Sequence, residues 1–224
     1  MEYRVMKVAE LKPFPIRDIR ANVVSKLTER IREGYNPARP LTVVEHNGNY
    51  IVADGNHRLK VLQELGIEEV PCLIRDGDPY KLAVECNSDE DTYAPMDLFD
   101  WLDLISGLRE QGLTQADIGE KIGWSRDLVA RYTGLIGKVV TRVLDLARRH
   151  QTGRVTENVT TVTFTEGWFR NSGFYDLQPE YQLRLMTWFI DDQECKPALK
   201  MVQKQAEYLK GIQEQVALVE KELA

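Results

Sequence analysis

No apolar run in this sequence approaches the ~18 residues of a membrane span, and no membrane partner is expected. The opening residues, MEYRVMKVAELKPF, put charges where a secretory signal needs an apolar core, so a cytoplasmic protein is expected. Cysteine is scarce: Cys72, Cys86 and Cys195 are odd in number and far apart, which excludes a disulfide framework and a zinc-type CxxC pair. The three histidines, His46, His57 and His150, have neither HExxH nor HxxxH spacing, and no metal site is expected. Excess positive charge is missing too. Against 35 Asp+Glu there are 29 Lys+Arg, a net charge of −6, so the chain as a whole has no strong attraction for nucleic acid. What is present is enough for folding: 43% hydrophobic and 29% charged residues over 224 positions allow a core and one or two domains, with room for a small third.

The average charge hides a pattern. Residues 1–93 are net −3 and residues 155–224 net −4, whereas residues 121–154 hold eight basic side chains against Asp127 and Asp145, net +6. A basic stripe on an acidic body is the footprint of a DNA-binding module. A solvated helix face of uneven charge is the equally weighted alternative.

Residues 1–95 mix strand-like and helical patterns. YRVMKVAELKPF reads as one strand ending at Pro13, and residues 23–33 as a helix stopped by Gly34. LTVVEH and YIVA flank Asn47-Gly48, a hairpin signal. Residues 56–65 read as a helix with Gly66 at its end, residues 70–75 as a strand and residues 80–87 as a short helix. From Pro95 the helical period takes over: residues 96–111, Thr114 to Ile122 with a Thr114/Asp117 capping box, Ser125 to Leu135, and 138–150. Residues 179–192 also read as helical. In residues 151–176 the aromatics either pack under the helices or line a site. Residues 197–224 form a last helix whose apolar positions, Leu199 to Leu223, approach a heptad seam. A homodimer through that seam is favoured over packing on the chain's own body. The expected fold class is α+β: a small mixed-sheet domain over 1–93, an all-helical domain over 94–150, and a C-terminal region over 151–224.

Two segments carry chemistry. YIVADGNHRLKVL reads as strand, tight turn and helix, and the first amides of that helix, near Asn56, His57 and Arg58, lack intrahelical acceptors. They form a ready anion site, with phosphate the obvious ligand and Arg58 a forked donor. Two cations in a first turn oppose the helix dipole by ~0.3–1 kcal/mol, a conflict that an anion would relieve. The plainer reading has Asp54 capping the helix and Arg58 paired with a nearby carboxylate. The second segment, QGLTQADIGEKIGWSRDLVARY, has the marks of a helix-turn-helix: a small Ala116, Gly119 for close helix approach, Gly123 for the turn, Ser125 as a cap, and Leu128 and Val129 as anchors. Its second helix would present Arg126, Asp127, Arg131 and Tyr132 to DNA, with Arg131 forking onto guanine and Arg126 holding a phosphate. Gln115 and Ser125 stand at helix starts, where phosphate contacts are common. A helical hairpin used only for packing is the alternative.

Together, in this order and over about residues 5–137, these motifs resemble the ParB/sulfiredoxin superfamily, and specifically ParB-like proteins with a helix-turn-helix. A sulfiredoxin is excluded, because Asn56 stands where its reactive cysteine precedes the His-Arg pair. The ParB phosphate box has Glu-Arg-Arg after the glycine; here Asn56 and His57 replace the first two and Arg58 remains. The resemblance also implies an arginine after the opening strand, with Arg20 favoured over Arg17, and an asparagine box that keeps Asn87 but has Cys86 and Glu90 at its acidic and arginine positions. Glu85 could substitute for the acidic one. The implied nucleotide-binding set is thus Arg20, Asp54, Gly55, Asn56, His57, Arg58 and Asn87, with CTP or ATP and Mg²⁺ as cofactors. The implied partners are double-stranded DNA, a second copy of the chain and, in a partition role, a partner ATPase. The resemblance implies at most a weak nucleoside triphosphatase or a kinase, and no catalytic residue is assigned. The alternative function is a small-molecule phosphotransferase resembling the free serine kinases, with Glu29 or Glu33 as its base.

Overall fold

The structure, a computed structural model, describes residues 1–88, 96–153, 163–191 and 199–223. Glu90, Arg154, Cys195 and the first threonines of the 156–162 stretch lie outside the described residues. The chain divides into two compact units, Met1–Arg126 and Asp127–Ala224.

The first unit is built on a five-stranded mixed sheet of order β1-β5-β3-β4-β2. The opening stretch is not one strand. It forms β1 (Glu2–Lys7), a 3-10 turn (Val8–Glu10) and β2 (Leu11–Pro13). β1 pairs antiparallel with β5 (Glu69–Arg75), while β2 pairs parallel with β4 (Asn49–Asp54) at the opposite edge. The turn carries the chain across the sheet, because Met6, Val8 and Leu11 all bury into the same core. β3 (Leu41–His46) and β4 form the expected hairpin, and Asn47 and Gly48 at its tip have φ of 52° and 71°. Both positive values belong to the turn that matches strand twist.

Helices α1 (Ala21–Glu33) and α2 (Asn56–Glu64) cover one face. Ile31, Leu59 and Leu62 bury there against Leu41, Val43, Val52, Val70 and Cys72. Each such side chain contributes about 1.5–3 kcal/mol on burial. α3 (Pro79–Ser88) lies against β4. α4 (Leu98–Glu110) buries Leu98, Phe99, Trp101, Leu102, Leu104, Ile105 and Leu108. Its start is a capping box: the Asp97 carboxylate accepts from the amides of Phe99 and Asp100, and Asp100 accepts from the Asp97 amide at 2.9 Å. α5 (Gln115–Ile122) has the expected Thr114/Asp117 box and ends at Gly123, φ 76°.

From Leu98 on, the described residues contain helices and one 3-10 turn, and no strand. In the second unit these are α6 (Arg126–Lys138), α7 (Thr141–Gly153), α8 (Glu166–Asn171), α9 (Pro179–Asp191) and α10 (Leu199–Leu223). The aromatics left open above are core. Phe164, Trp168, Phe169, Phe174 and Phe189 meet edge-on or tilted at centroid distances of 4.9–5.8 Å. Among the described residues no helix is long and apolar enough to cross a membrane.

Candidate functional site

β4 ends at Asp54, Gly55 turns the chain with φ 98°, and α2 starts at Asn56 without a side-chain cap. The turn demands glycine twice over. The φ lies in the left-handed region, and a Cβ would stand 2.4 Å from Leu41 Cδ2. Above the helix start opens a cleft of about 740 Å³, walled by residues 15–19, one side of α1, residues 34–40, Asp54–Arg58 and Asn87. That volume lies within the range of small-molecule and cofactor sites.

Of the predicted nucleotide set, Asp54, Gly55, Asn56, His57, Arg58 and Asn87 all line this cleft, and Arg20 does not. Most of their polar atoms are already engaged. The Asn56 amide latches β2 to the turn: its Oδ1 accepts from the Phe14 amide at 2.8 Å, and its Nδ2 donates to the carbonyls of Phe14 (3.1 Å) and Val52 (3.0 Å). Arg58 donates to Asp54 at 2.9 Å, to the Pro40 carbonyl at 3.1 Å, to the Tyr35 hydroxyl at 3.3 Å and to the Arg39 carbonyl. It therefore ties the 34–40 wall to the turn, and the pairing with Asp54 is the plainer arrangement weighed above. Asn87 is buried and donates to the Ala83 carbonyl at 2.7 Å.

His57 is not the cation expected in the first helical turn. Its Nε2 accepts the Arg20 amide at 3.0 Å. Burial, reinforced by the charges of Arg17 and Arg20, pulls its pKa down to about 4. The ring is neutral at pH 7, and its conflict with the helix dipole does not arise. The guanidinium of Arg20 binds Asp97 at 2.9 Å and Asp100, so it fastens the 14–20 segment to the start of α4.

Arg17 is different. Its side chain is nine-tenths buried and lines the cleft. Its Nη1 has no hydrogen-bond partner and stands 3.9 Å from Asp100 Oδ2, beyond hydrogen-bond reach. Burial lowers its pKa, while the Asp100 charge acts in the opposite sense. Burial raises the Asp100 carboxyl in turn, opposed by the Asp97 amide. Sequence reasoning weighed Arg17 and preferred Arg20. It missed Tyr35, Arg39 and Pro40, for which no local signal exists.

Glu85 is exposed and pairs with Arg75 at 3.1 Å, outside the cleft. Neither Glu29 nor Glu33 lines the cleft. Among the described residues no group of three or more His, Cys, Asp or Glu is placed to hold a metal ion.

The second set of residues lies around the α5–α6 junction. A Cβ on Gly119 would stand 2.6 Å from the Trp124 carbonyl, so glycine is what admits the turn. Trp124 stacks on Trp101 at 4.4 Å. Ser125, Arg126, Asp127 and Arg131 are exposed, and Gln115 and Tyr132 are half-buried. Burial pushes the Tyr132 phenol up. Of the two expected anchors, Val129 is buried and Leu128 half-buried.

Residues 2–88 match the family model of the ParB N-terminal domain. That stretch is similar to ParB N-terminal domains, and the fold of the chain is similar to those of solved ParB structures. The C-terminally truncated chromosome-partitioning protein ParB from Caulobacter crescentus, complexed to the centromeric parS site, is 18% identical, with 92% of this chain and 99% of that chain covered and a TM-score of 0.50. The C2221 form of a pNOB8-like ParB-N domain is 15% identical, with coverages of 90% and 97% and a TM-score of 0.51. The Caulobacter protein complexed with CTP-γ-S matches over 65% of this chain and 83% of that chain at 23% identity, with a TM-score of 0.37. Among curated proteins none matches.

Proposed function

We propose that this chain is a ParB-like DNA-binding protein, acting in plasmid or chromosome partition or in transcription control, with a nucleotide-phosphate site that serves as a switch. One observation carries the reading: a ParB N-terminal domain with a cleft over an uncapped helix start is followed by an exposed basic helix start. The Caulobacter relative of the same fold is described as complexed to parS DNA. Residues 94–150 form the DNA module as a helix-turn-helix, with Arg131 on base edges, Arg126 on phosphate, and Ser125, Asp127, Gln115 and Tyr132 around them. The half-burial of Gln115 and Tyr132 gives them smaller shares than the arginines.

In the cleft, Gly55 and the α2 amides meet the phosphates of CTP or ATP, and Asp54, Asn56, His57, Arg58 and Asn87 shape the walls. Mg²⁺ enters with the triphosphate. Arg20 supports the site through Asp97 and Asp100. Nucleotide changes how the N-terminal domains of two copies associate. The second half of α10 holds the homodimer. Val216, Val219 and Leu223 are exposed there, whereas Val202, Ala206 and Leu209 bury within the second unit. In a partition role the further partner is an ATPase. The phosphotransferase reading has no carboxylate in the cleft from the pair that would serve as its base.

Fluorescence anisotropy with a selected duplex tests the DNA assignment. Arg131→Ala is expected to weaken binding by about 1–3 kcal/mol and to relax one base position. Unchanged affinity in that variant would move recognition away from α6.

A further inference from the structure

The two edges of the five-stranded sheet differ in how they meet solvent. β2 is three residues long and ends in Pro13, which blunts its edge. β1 is six residues long, holds no proline, and pairs with β5 in unbroken register from Glu2↔Ile74 to Lys7↔Glu69. Among the described residues β5 is its only neighbour in the sheet. The Val8 amide donates to the Glu68 carbonyl at 2.8 Å, one register step beyond Lys7↔Glu69. Hydrogen-bonded pairs alternate along an antiparallel ladder, so the even residues of β1 bond to β5, while Tyr3, Val5 and Lys7 turn their N–H and C=O groups outward. Tyr3 and Val5 are also 56% and 59% exposed, beside the half-buried Leu73 and Pro71. The Tyr3 hydroxyl donates to the Pro37 carbonyl at 2.6 Å, which fixes its ring at this edge.

We propose that β1 is a docking edge for a second copy of the chain: two β1 strands pair antiparallel about a two-fold axis at Val5 and join the two sheets into one. Residues opposite each other must share a face of the sheet, which restricts the register. The axis at Val5 sets Val5 opposite Val5, Tyr3 opposite Lys7 and Arg4 opposite Met6. All three outward-facing residues of each strand are then engaged. An axis at Arg4 would set two arginines opposite each other in a non-hydrogen-bonded pair, where side chains are closest, and would leave Lys7 beyond the paired strand. An axis at Met6 would leave Tyr3 without a partner. At Val5 no like charges stand opposite: Lys7 meets the Tyr3 ring, and Arg4 is already paired with Glu2 at 2.8 Å. Because Val5 is in register with Pro71, the joined edge carries an apolar row of Pro71 and Val5 from both copies, flanked by Tyr3. This self-complementarity selects a second copy as the occupant. Six residues a side make a small interface, so the pairing depends on concentration. It is independent of the DNA and nucleotide readings and separate from the α10 seam.

The test is analytical ultracentrifugation of the full chain over a range of concentrations, without DNA or nucleotide. Val5→Lys and Val5→Glu are measured alone and as an equimolar mixture. Val5 is exposed, so both variants are expected to keep the melting temperature of the parent, and α10 is unaltered in each. Either variant alone puts like charges on the axis and is expected to weaken one association step of the parent by roughly tenfold or more. The mixture brings opposite charges together on the axis and is expected to recover that step.

If Val5→Glu and Val5→Lys associate as the parent does across the whole range, β1 is not a docking edge for a second copy and the proposal is overturned. That result would leave the edge to an extended segment of a different chain. If both variants lose the step and the mixture does not recover it, the strands do not meet at Val5 and the two-fold pairing is refuted.

Discussion

Asn56 opens α2 at the proposed phosphate site, yet its side chain is spent on three hydrogen bonds to the backbone of Phe14 and Val52. Replacing it with alanine removes all three and leaves half-buried amide and carbonyl groups without partners. At 0.5–1.5 kcal/mol per neutral hydrogen bond, the loss is about 2–4 kcal/mol. For a protein of this size 1 kcal/mol moves the melting temperature by ~2–4 °C, so the expected fall is roughly 4–16 °C. β2 is only three residues long and is an edge strand, so its amide protons are expected to exchange faster in the variant. Calorimetry and hydrogen exchange measure both effects. A variant that melts within about 2 °C of the parent while losing tenfold or more in triphosphate affinity would make Asn56 a ligand, and the latch argument would be wrong.

Three further outcomes are expected. His57 is held neutral, with its pKa lowered from 6.5 to about 4; the folded state resists its protonation, so stability is full above pH 6.5 and declines as pH falls towards 4, by roughly 3 kcal/mol. His57→Gln should flatten that part of the denaturant-midpoint profile, and an identical decline in both proteins would count against the assignment. Gly119→Ala puts a Cβ against the Trp124 carbonyl and should cost about 1–3 kcal/mol and weaken DNA binding, whereas Gly134→Ala, in the same region but with open space around it, should hold or gain about 0.5–1 kcal/mol. Arg126→Ala should reduce the slope of log affinity against log salt by about 1, measured by anisotropy in a salt series.

What could be read from the sequence was what short-range chemistry dictates. Asn47-Gly48 gave the hairpin because both residues tolerate positive φ, and Thr114/Asp117 gave the start of α5 because a capping box is complete within four residues. The Asp97/Asp100 box has the same four-residue form and was as legible; only its ion pairs with Arg20, distant in sequence, were not. The break of the opening segment into β1 and β2 was illegible for a related reason. A single period-2 pattern runs through it, and only the sheet order shows that the two pieces lie at opposite edges. The tight turn into α2 was legible from Asp54-Gly55. The pairings of Arg20 and Arg58 were not, because they depend on where their acceptors lie: α4, the 34–40 wall and the turn. The charge state of His57 was hidden for the same cause, being set by burial and by two arginines distant in sequence.

The central claim, sequence-specific DNA binding under nucleotide control, is tested most directly by incubating the purified chain with fragmented genomic DNA, Mg²⁺, CTP and ATP, recovering the bound fragments and sequencing them. The account expects one shared site, palindromic as a two-fold dimer requires, with its recovery altered when nucleotide is omitted. Recovery no greater than that of competitor DNA, with or without nucleotide, would contradict it and leave the α5–α6 segment as packing.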